Sequence, residues 1–564
     1  VINHKEKLRV SSLPFWVLSA RQLCDLELIL NGAFSPLAGF LGEDDYVCVV
    51  RHMRLTSGAL WPIPITLDIP QALAHELTLG GELALRDPEG VTLAVLTVDS
   101  IYQPDHDIEA LEVLGTLDRD HPGVAALYRQ HRFNVGGPLK KVEPITHYDF
   151  TDLRLSPIQV RDEIARRGWG AVVAFQTRNP MHRAHVELTQ RAMKQANAAL
   201  LLQPVVGLTK PGDIDYYTRV RCYKHALKSY APDVVLLSLL PLAMRMGGPR
   251  EAIWHALIRK NFGATHFIVG RDHAGPGNDK HGKAFYAPYA AQEMALEYAQ
   301  EIGLHILAFE EMLYLAQEQR YVPASQVPPG ADVLSLSGTA FREKLASGAE
   351  IPNWFSAPDI VAELRQSYRP KQQQGFVLFF TGLSGAGKST VANGVAVRLR
   401  EGGGRVVSLL DGDVLRQKLS KGLGFSKADR ETNVERIGFV AVEIARAGGV
   451  ALCACISPYA STRQACRELA IDHKTAFFEI YLATDLEVCE QRDRKGLYAK
   501  ARAGELKGMT GIDAPYEPPL CPDLQIDTAC LSVSQAVELI FSTLIKLGYL
   551  PPPLMNPEEK VDFQ

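Results

Sequence analysis

Apolar residues in this chain follow two rhythms. Up to about residue 145 they form short alternating runs, WPIPITLDIP, GGELALRDPEG and VTLAVLTVDSIYQP, broken by Gly, Pro and Asp. Period-two alternation with frequent turns predicts a mostly β domain over 1–145. From about 146 the runs become continuously apolar: AVVAFQTR, ALLLQPVVG, DVVLLSLLP and THFIVGRDH, each separated from the next by a helix-length stretch. Such runs read as buried strands, which predicts a parallel sheet with crossover helices over 146–320 and a ligand site at the carboxyl ends of its strands. Residues 321–370 read as a small, partly helical linking segment with prolines at both ends, and RPKQQQ, 369–374, as an unstructured polar linker. The pattern then starts afresh with GFVLFF, VANGVAVRLR and RVVSLL, predicting a second α/β domain over 371–550, followed by a loosely held tail, 551–564. The fold class is therefore α/β and multidomain.

Length supports that division, since 564 residues exceed what one hydrophobic core serves. Apolar residues at 46% and charged residues at 22% fit globular folding rather than disorder or a fibrous repeat. A formal net charge of −4 argues against broad capture of nucleic acid or an anionic membrane, leaving local basic pockets for small anions. Nine cysteines without a CxxC pair fit neither a disulfide framework nor a zinc site, and those of ALCACIS read as buried free thiols, which implies a reducing cytoplasm. VINHKEKLRV lacks the apolar core of a signal peptide, and no apolar run reaches the roughly 18 residues of a membrane span.

Two short stretches carry chemistry. GLSGAGKS fits G-x-x-x-x-G-K-[ST] between an apolar strand and a helical stretch. In that setting the loop Gly382, Leu383, Ser384, Gly385, Ala386 and Gly387, with Thr390 in the opening helical turn, cradles phosphates on backbone N–H groups. Lys388 neutralises the β and γ oxygens, and Ser389 can ligate Mg²⁺. The alternative, an ordinary Gly-rich turn, leaves Lys388 unexplained. The second stretch is QTRNPMHRAH, 176–185. A zinc-protease pair would be spaced by four with a glutamate between, whereas His182 and His185 are three apart and enclose Arg183 and Ala184. Pro180 suits a first helical turn and Asn179 its cap, which puts both imidazoles on one face at a helix N-terminus, where they would meet an anion. Phosphate is favoured over metal on that geometry, with structural packing as the bland alternative.

LDGDVLRQKLSKGLGFSKADRETNVERIG, ISPYASTR and RDRKGLYAKARAGELKGMTGIDAPYE resemble adenosine 5′-phosphosulfate (APS) kinase over its whole length. The resemblance implies that Asp413 accepts the 3′-hydroxyl proton of APS. Arg416, Arg430 and Asn433 would hold its sulfate, phosphate and base, and Phe425 would stack on adenine. Ile456, Ser457, Lys495, Gly508 and Met509 fall on APS-contact positions, the last where the family usually has an aromatic residue. QTRNPMHRAH itself matches the Q-x-R-N-P-x-H-x-x-H signature of ATP sulfurylase. NGAFSPLAGFLGEDDY, GLTKPGDID, MRMGGPREAIWHA, GRDHAGPG and SGTAFREKLASGAEIPNWF follow in family order over residues 1 to about 368.

What this second resemblance implies is a PUA-like N-terminal domain and a Rossmann-like nucleotidyltransferase domain ahead of the P-loop kinase domain. Gln176, Arg178 and the backbone near Ala274 would bind sulfate, and His182 and His185 the β- and γ-phosphates. Thr177 and Asn179 would orient the transferring group, while Gly270, Arg271, Asp272, His273 and Leu313 would line the nucleotide. Sulfate would attack the α-phosphorus of ATP to give APS and pyrophosphate, and the kinase would phosphorylate APS to 3′-phosphoadenosine 5′-phosphosulfate (PAPS), both with MgATP and with no tightly bound metal or organic cofactor. Relatives of both domains commonly self-associate, so a homo-oligomer is expected. Three other readings stay open: a kinase-like domain that only binds PAPS as a regulator, a sulfurylase running toward ATP, and a chain in which only the APS kinase is active. Glutamine and tyrosines stand at Gln203, Tyr216 and Tyr217, where the family usually has histidines, and they keep hydrogen bonding while losing imidazole's charge.

Overall fold

The structure, a computed structural model, describes residues 9–210 and 212–551. The expectations for the first eight residues and for the tail beyond Pro551 lie outside them. Two compact units form, one up to Phe341 with Glu350–Ser367, the other Arg342–Ala349 with Tyr368 onward.

In the first unit, a seven-stranded sheet centred on the long strand Phe133–Lys141 fills the region up to residue 144. Its inner faces bury Leu83, Leu85, Leu96 and Val135. The region is less purely β than the alternation suggests, because helices Ala20–Leu30, Glu43–His52 and His106–Leu114 share its core. The first begins at a capping box, with Ser19 and Gln22 satisfying each other's backbone N–H groups.

The second layer of this unit is a five-stranded parallel sheet: β1 (Val172–Phe175), β2 (Ala199–Leu202), β3 (Val235–Leu237), β4 (His266–Val269) and β5 (His305–Ala308). Their order, β3-β2-β1-β4-β5, reverses direction between β1 and β4. A crevice opens at such a reversal beyond the carboxyl ends of the strands. Helices α1 (Arg183–Ala196), α2 (Tyr216–Ala226) and α3 (Gly248–Asn261) make the crossovers. The boundary expected at residue 320 falls within strand Arg320–Pro323, which pairs with Met312–Leu315.

The second unit carries another five-stranded parallel sheet, β6 (Phe376–Thr381), β7 (Val407–Asp411), β8 (Val450–Ala454), β9 (Ala476–Leu482) and β10 (Leu524–Ile526), in the order β7-β8-β6-β9-β10. Every residue of β6 is buried, as a strand covered on both faces requires. Helices α4 (Lys388–Glu401), α5 (Gly412–Lys418) and α6 (Lys427–Arg446) flank it. Cys453 lies in β8 and Cys455 just beyond it, and both are buried free thiols. RPKQQQ is ordered rather than unstructured: Lys371–Gln373 makes a 3₁₀ turn, and Arg405 donates to the carbonyls of Gln372 and Gln374. Among the described residues no helix is long and apolar enough to cross a membrane.

Candidate active sites

The chain leaves β1 at Phe175 and enters the crevice. Gln176 and Thr177 are buried, and Thr177 Oγ1 accepts from the Asn179 N–H at 3.0 Å, folding the exit into a tight turn. Arg219 fixes the next step from below by donating to the carbonyls of Arg178 (3.0 Å) and Val205 (2.8 Å). The Arg178 guanidinium then reaches across the crevice to both oxygens of Asp213, at 2.7 and 2.6 Å, and to the Gly275 carbonyl at 3.3 Å. Three separate stretches, QTRNPMHRAH, GLTKPGDID and GRDHAGPG, thereby converge on one guanidinium.

Helix α1 starts at Arg183, three residues later than Pro180 suggests, and its N-cap is His182 rather than Asn179. Residues 177–181 are taken up by the turn instead. The two imidazoles do come together, with ring centroids 6.1 Å apart. His185 Nδ1 accepts the His182 backbone N–H at 3.2 Å, so the neutral ring carries its proton on Nε2. His182 Nδ1 lies 3.1 Å from Ser356 Oγ, its ring against Phe341 and Phe355. Burial holds His185 down to about 4, and burial together with His185 holds His182 down to about 3.

That burial has a cost in acid. An unfolded chain protonates these rings below about pH 6.5, while the folded chain resists until about 4 and about 3, so the stability they contribute is present above 6.5 and lost as pH falls. By pH 5 each ring should cost the first unit about 2 kcal/mol. Thermal unfolding scanned from neutral pH downward should show its transition falling, and one that does not move over that range contradicts the assignment.

Beyond β4 lie Gly270, Arg271, Asp272, His273 and Ala274. Arg271 pairs with Glu311 at 2.7 Å, and Ala274 adopts a left-handed conformation with φ 54°. Gly275 lies close under Asp272, so that a Cβ there, 1.9 Å from Asp272 Oδ1, would force the aspartate side chain to move. Leu313 is partly buried in the strand Met312–Leu315. Gln203 is wholly buried, its carbonyl accepting from Arg259 at 3.2 Å, and Tyr216 stacks on Tyr217 at 4.2 Å.

In the second unit the loop after β6 is held open from outside. Tyr498 donates to the Ser384 carbonyl (2.8 Å), Arg492 to that of Gly385 (3.3 Å) and Thr528 to that of Ala386 (3.0 Å). With those carbonyls turned outward, the loop N–H groups are free to face a phosphate. Lys388 folds back on the carbonyls of Gly382 (2.9 Å) and Leu383 (2.7 Å), and burial lowers it to about 8. Ser389 Oγ donates to Asp411 Oδ2 at 2.7 Å, and Asp411 Oδ1 accepts the Asp413 N–H at 3.0 Å. A hydroxyl beside a strand-end carboxylate suits a hard cation that prefers oxygen ligands. Sequence reasoning missed Asp411, although the DGD stretch that yielded Asp413 contains it. Thr390 is exposed in the first turn of α4.

Asp413 forms an exposed ion pair with Lys495. Arg430 ties three segments together, donating to the Phe425 carbonyl at 2.8 Å, to Thr510 Oγ1 at 2.5 Å and to the Gly508 carbonyl. Phe425 is 65% exposed with Arg416 over its ring at 4.3 Å, which leaves an aromatic face available to a base. Asn433 is buried, and its Oδ1 has no partner among the described residues. Ser457 takes a left-handed conformation (φ 46°), its carbonyl held by Arg463 at 2.7 Å, and the Ile456 carbonyl is held by Thr381 at 2.7 Å. Met509 packs into the core of the second unit and is only 7% exposed.

Two phosphate-type sites at the carboxyl ends of parallel sheets define an enzyme of nucleotide-dependent group transfer. Residues 151–367 match the ATP-sulfurylase family, 374–527 the Adenylylsulphate kinase family and 2–144 the PUA-like domain. The chain is 52% identical over 543 residues to the sulfate adenylyltransferase of Chaetomium globosum, covering 96% of this chain and 94% of that one. It is 51% identical, with the same coverage, to that of Neurospora crassa. A solved structure described as a hexameric APS kinase from Thiobacillus denitrificans superposes with a TM-score of 0.78 at 35% identity, covering 96% of this chain and 95% of that one. The chain belongs to the ATP-sulfurylase family, with an adenylylsulphate kinase domain following the sulfurylase. It is a bifunctional sulfate-activating enzyme, forming APS and then PAPS.

Proposed function

We propose that the crevice between β1 and β4 is the sulfurylase site and the loop after β6 the kinase site. Gln176, Arg178 and the Ala274 backbone hold sulfate, while His182 and His185 hold the β- and γ-phosphates through N–H donors. Thr177 and Asn179 orient the transferring phosphoryl, and Gly270, Arg271, Asp272, His273 and Leu313 line the nucleotide. Sulfate is already an anion and pyrophosphate a capable leaving group, so this half needs charge placed at the reacting atoms rather than a general base. The observation that carries the reading is the convergence of three motifs on Arg178.

In the second unit the loop 382–387 and Lys388 take the phosphates of ATP. Ser389 and Asp411 would hold Mg²⁺ with the nucleotide, and the metal would neutralise charge developing between the β- and γ-phosphates. Asp413 receives the 3′-hydroxyl proton of APS, with Lys495 beside it. Arg416, Arg430 and Asn433 hold the sulfate, phosphate and base, Phe425 stacks on adenine, and Ile456, Ser457, Gly508 and Met509 shape the pocket wall. The buried, unpartnered Asn433 Oδ1 supports a donor arriving from the base. Self-association is proposed from the hexameric relative.

The test follows both reactions in one preparation, PAPS formed from APS and MgATP, and ATP formed from APS and pyrophosphate. Both activities are expected, and PAPS binding without turnover would reduce the second unit to a regulator. Asp411→Asn should raise the Mg²⁺ needed for half-maximal kinase activity and lower kcat about 10²-fold, leaving the sulfurylase unchanged. A magnesium titration of the kinase reads the effect directly.

A further inference from the structure

Helix α3 carries Glu251, His255 and Arg259 four residues apart on one face, and all three are wholly inaccessible to solvent. Glu251 is anchored by the backbone N–H groups of Arg245 (3.0 Å) and Gly247 (2.7 Å). His255 Nε2 lies 3.2 Å from Glu251 Oε1, and His255 Nδ1 lies 2.9 Å from His273 Nε2. A carboxylate, a buried imidazole and a second imidazole thus form a line from the heart of the unit to the loop beyond β4.

Proton counting along that line has one outcome. A nitrogen-to-nitrogen contact of 2.9 Å needs a single shared proton, and the charge of the carboxylate 3.2 Å from the far nitrogen of His255 favours a proton on that nitrogen, although the two groups lack hydrogen-bond geometry. With His255 neutral, its proton faces Glu251 and its Nδ1 is a bare acceptor. His273 then donates inward from Nε2, and its outward Nδ1 is also bare. That arrangement turns a lone pair toward any phosphate oxygen meeting the ring. For His273 to donate outward, the chain of three groups must hold one more proton, whether on His255, His273 or Glu251. A tautomer shift alone would set the His255 lone pair against the carboxylate.

The surroundings favour the proton-poor arrangement. Arg259 is the next group along the helix, and among the described residues its guanidinium donates only to the Gln203 carbonyl. Burial foremost holds His255 below the usual imidazole range, with Glu251 pulling it back up and Arg259 adding to the depression; burial, then His255 and Arg259, hold His273 well below it. Phe267 of β4 packs on the ring of His273. The other charged or titratable groups nearby are Arg245, ion-paired to Asp25 at 2.7 Å, and the pair His121 and Tyr286, 3.1 Å apart, on the Glu251 side.

We propose that Glu251 and His255 are positioning residues that set the polarity of His273, so that a nucleotide anion binding the sulfurylase site takes up one proton. This rests on the reading that His273 lines the nucleotide. The direct test is calorimetry of APS binding in two buffers of different ionisation enthalpy near pH 8, where APS itself does not titrate. Wild type should take up close to one proton, with affinity falling about tenfold per pH unit on the alkaline side. Glu251→Gln, which keeps the shape but cannot hold a charge against His255, should lose that uptake, and the kinase-site contribution cancels in the comparison. Uptake that is absent in wild type, or equal in both proteins, overturns the proposal. His255→Asn serves as the second variant, and should neither fold, the wild-type measurement decides. His273→Ala separates the two readings: sulfurylase activity untouched by it removes His273 from the site. Activity lost there, with unchanged proton uptake in Glu251→Gln, removes only the relay.

Discussion

Lys388→Ala is expected to lower the kinase rate about 10³-fold or more while leaving sulfurylase activity within a factor of two. The size follows from what the lysine does. Phosphoryl transfer asks little covalent chemistry of the protein, so a charge at the β and γ oxygens supplies a large share of the acceleration, and about 4 kcal/mol corresponds to that factor. Lys388 donates to the Gly382 and Leu383 carbonyls, so the alanine variant also loses an internal tie and should bind ATP in a looser loop. Lys388→Arg would not restore the rate, because the longer fork does not fit a space shaped around a point charge. The measurement is PAPS formation alongside ATP formation from APS and pyrophosphate in the same sample. Equal loss of both activities would mean that the two units do not act independently.

His185→Ala should give the mirror result, a sulfurylase loss of about 10²- to 10³-fold with the kinase intact. This ring has two jobs. Its Nδ1 accepts the N–H of His182, closing the cap of α1, and on the proposed reading its Nε2–H is the donor that meets a phosphate. Alanine removes both and should cost about 1 kcal/mol of stability besides the rate. Glutamine at the third helical position is the ordinary partner in a capping box, so His185→Gln should keep the helix start and lose only the imidazole donor. Wild-type thermal stability with a deep kinetic loss in the glutamine variant separates ligand binding from capping. A glutamine variant of full activity would assign the residue to the cap alone.

Much of this arrangement was legible in residue order. The continuous runs AVVAFQTR and THFIVGRDH gave two neighbouring strands, and the motifs at their ends meet in space because the strand order reverses between them. The loop after β6 was legible for the same local reason. Other features depended on distant partners. Asn179 and Pro180 look like a helix start, but Arg219, some forty residues on, pins the Arg178 carbonyl and postpones the helix. The helices of the N-terminal region are hidden because the Gly and Pro between apolar runs signal turns, although SARQ at 19–22 spells a capping box. Asp411 becomes meaningful only once α4 brings Ser389 to the end of β7. Glu251 and His255 have the spacing of neighbours on a helix face, yet their link to His273 requires the fold of β4.

The outside supports of the nucleotide loop also bear on synthesis. Ser384, Gly385 and Ala386 are braced by Tyr498, Arg492 and Thr528, residues translated more than a hundred positions later. The cap of α1, by contrast, leans on Phe355 and Ser356, which emerge before the second sheet begins. Domains fold as they leave the ribosome, N-terminal parts first. A growing chain therefore finishes its first pocket while the second is still an unbraced loop, and a nascent chain halted short of Thr528 would carry one working half.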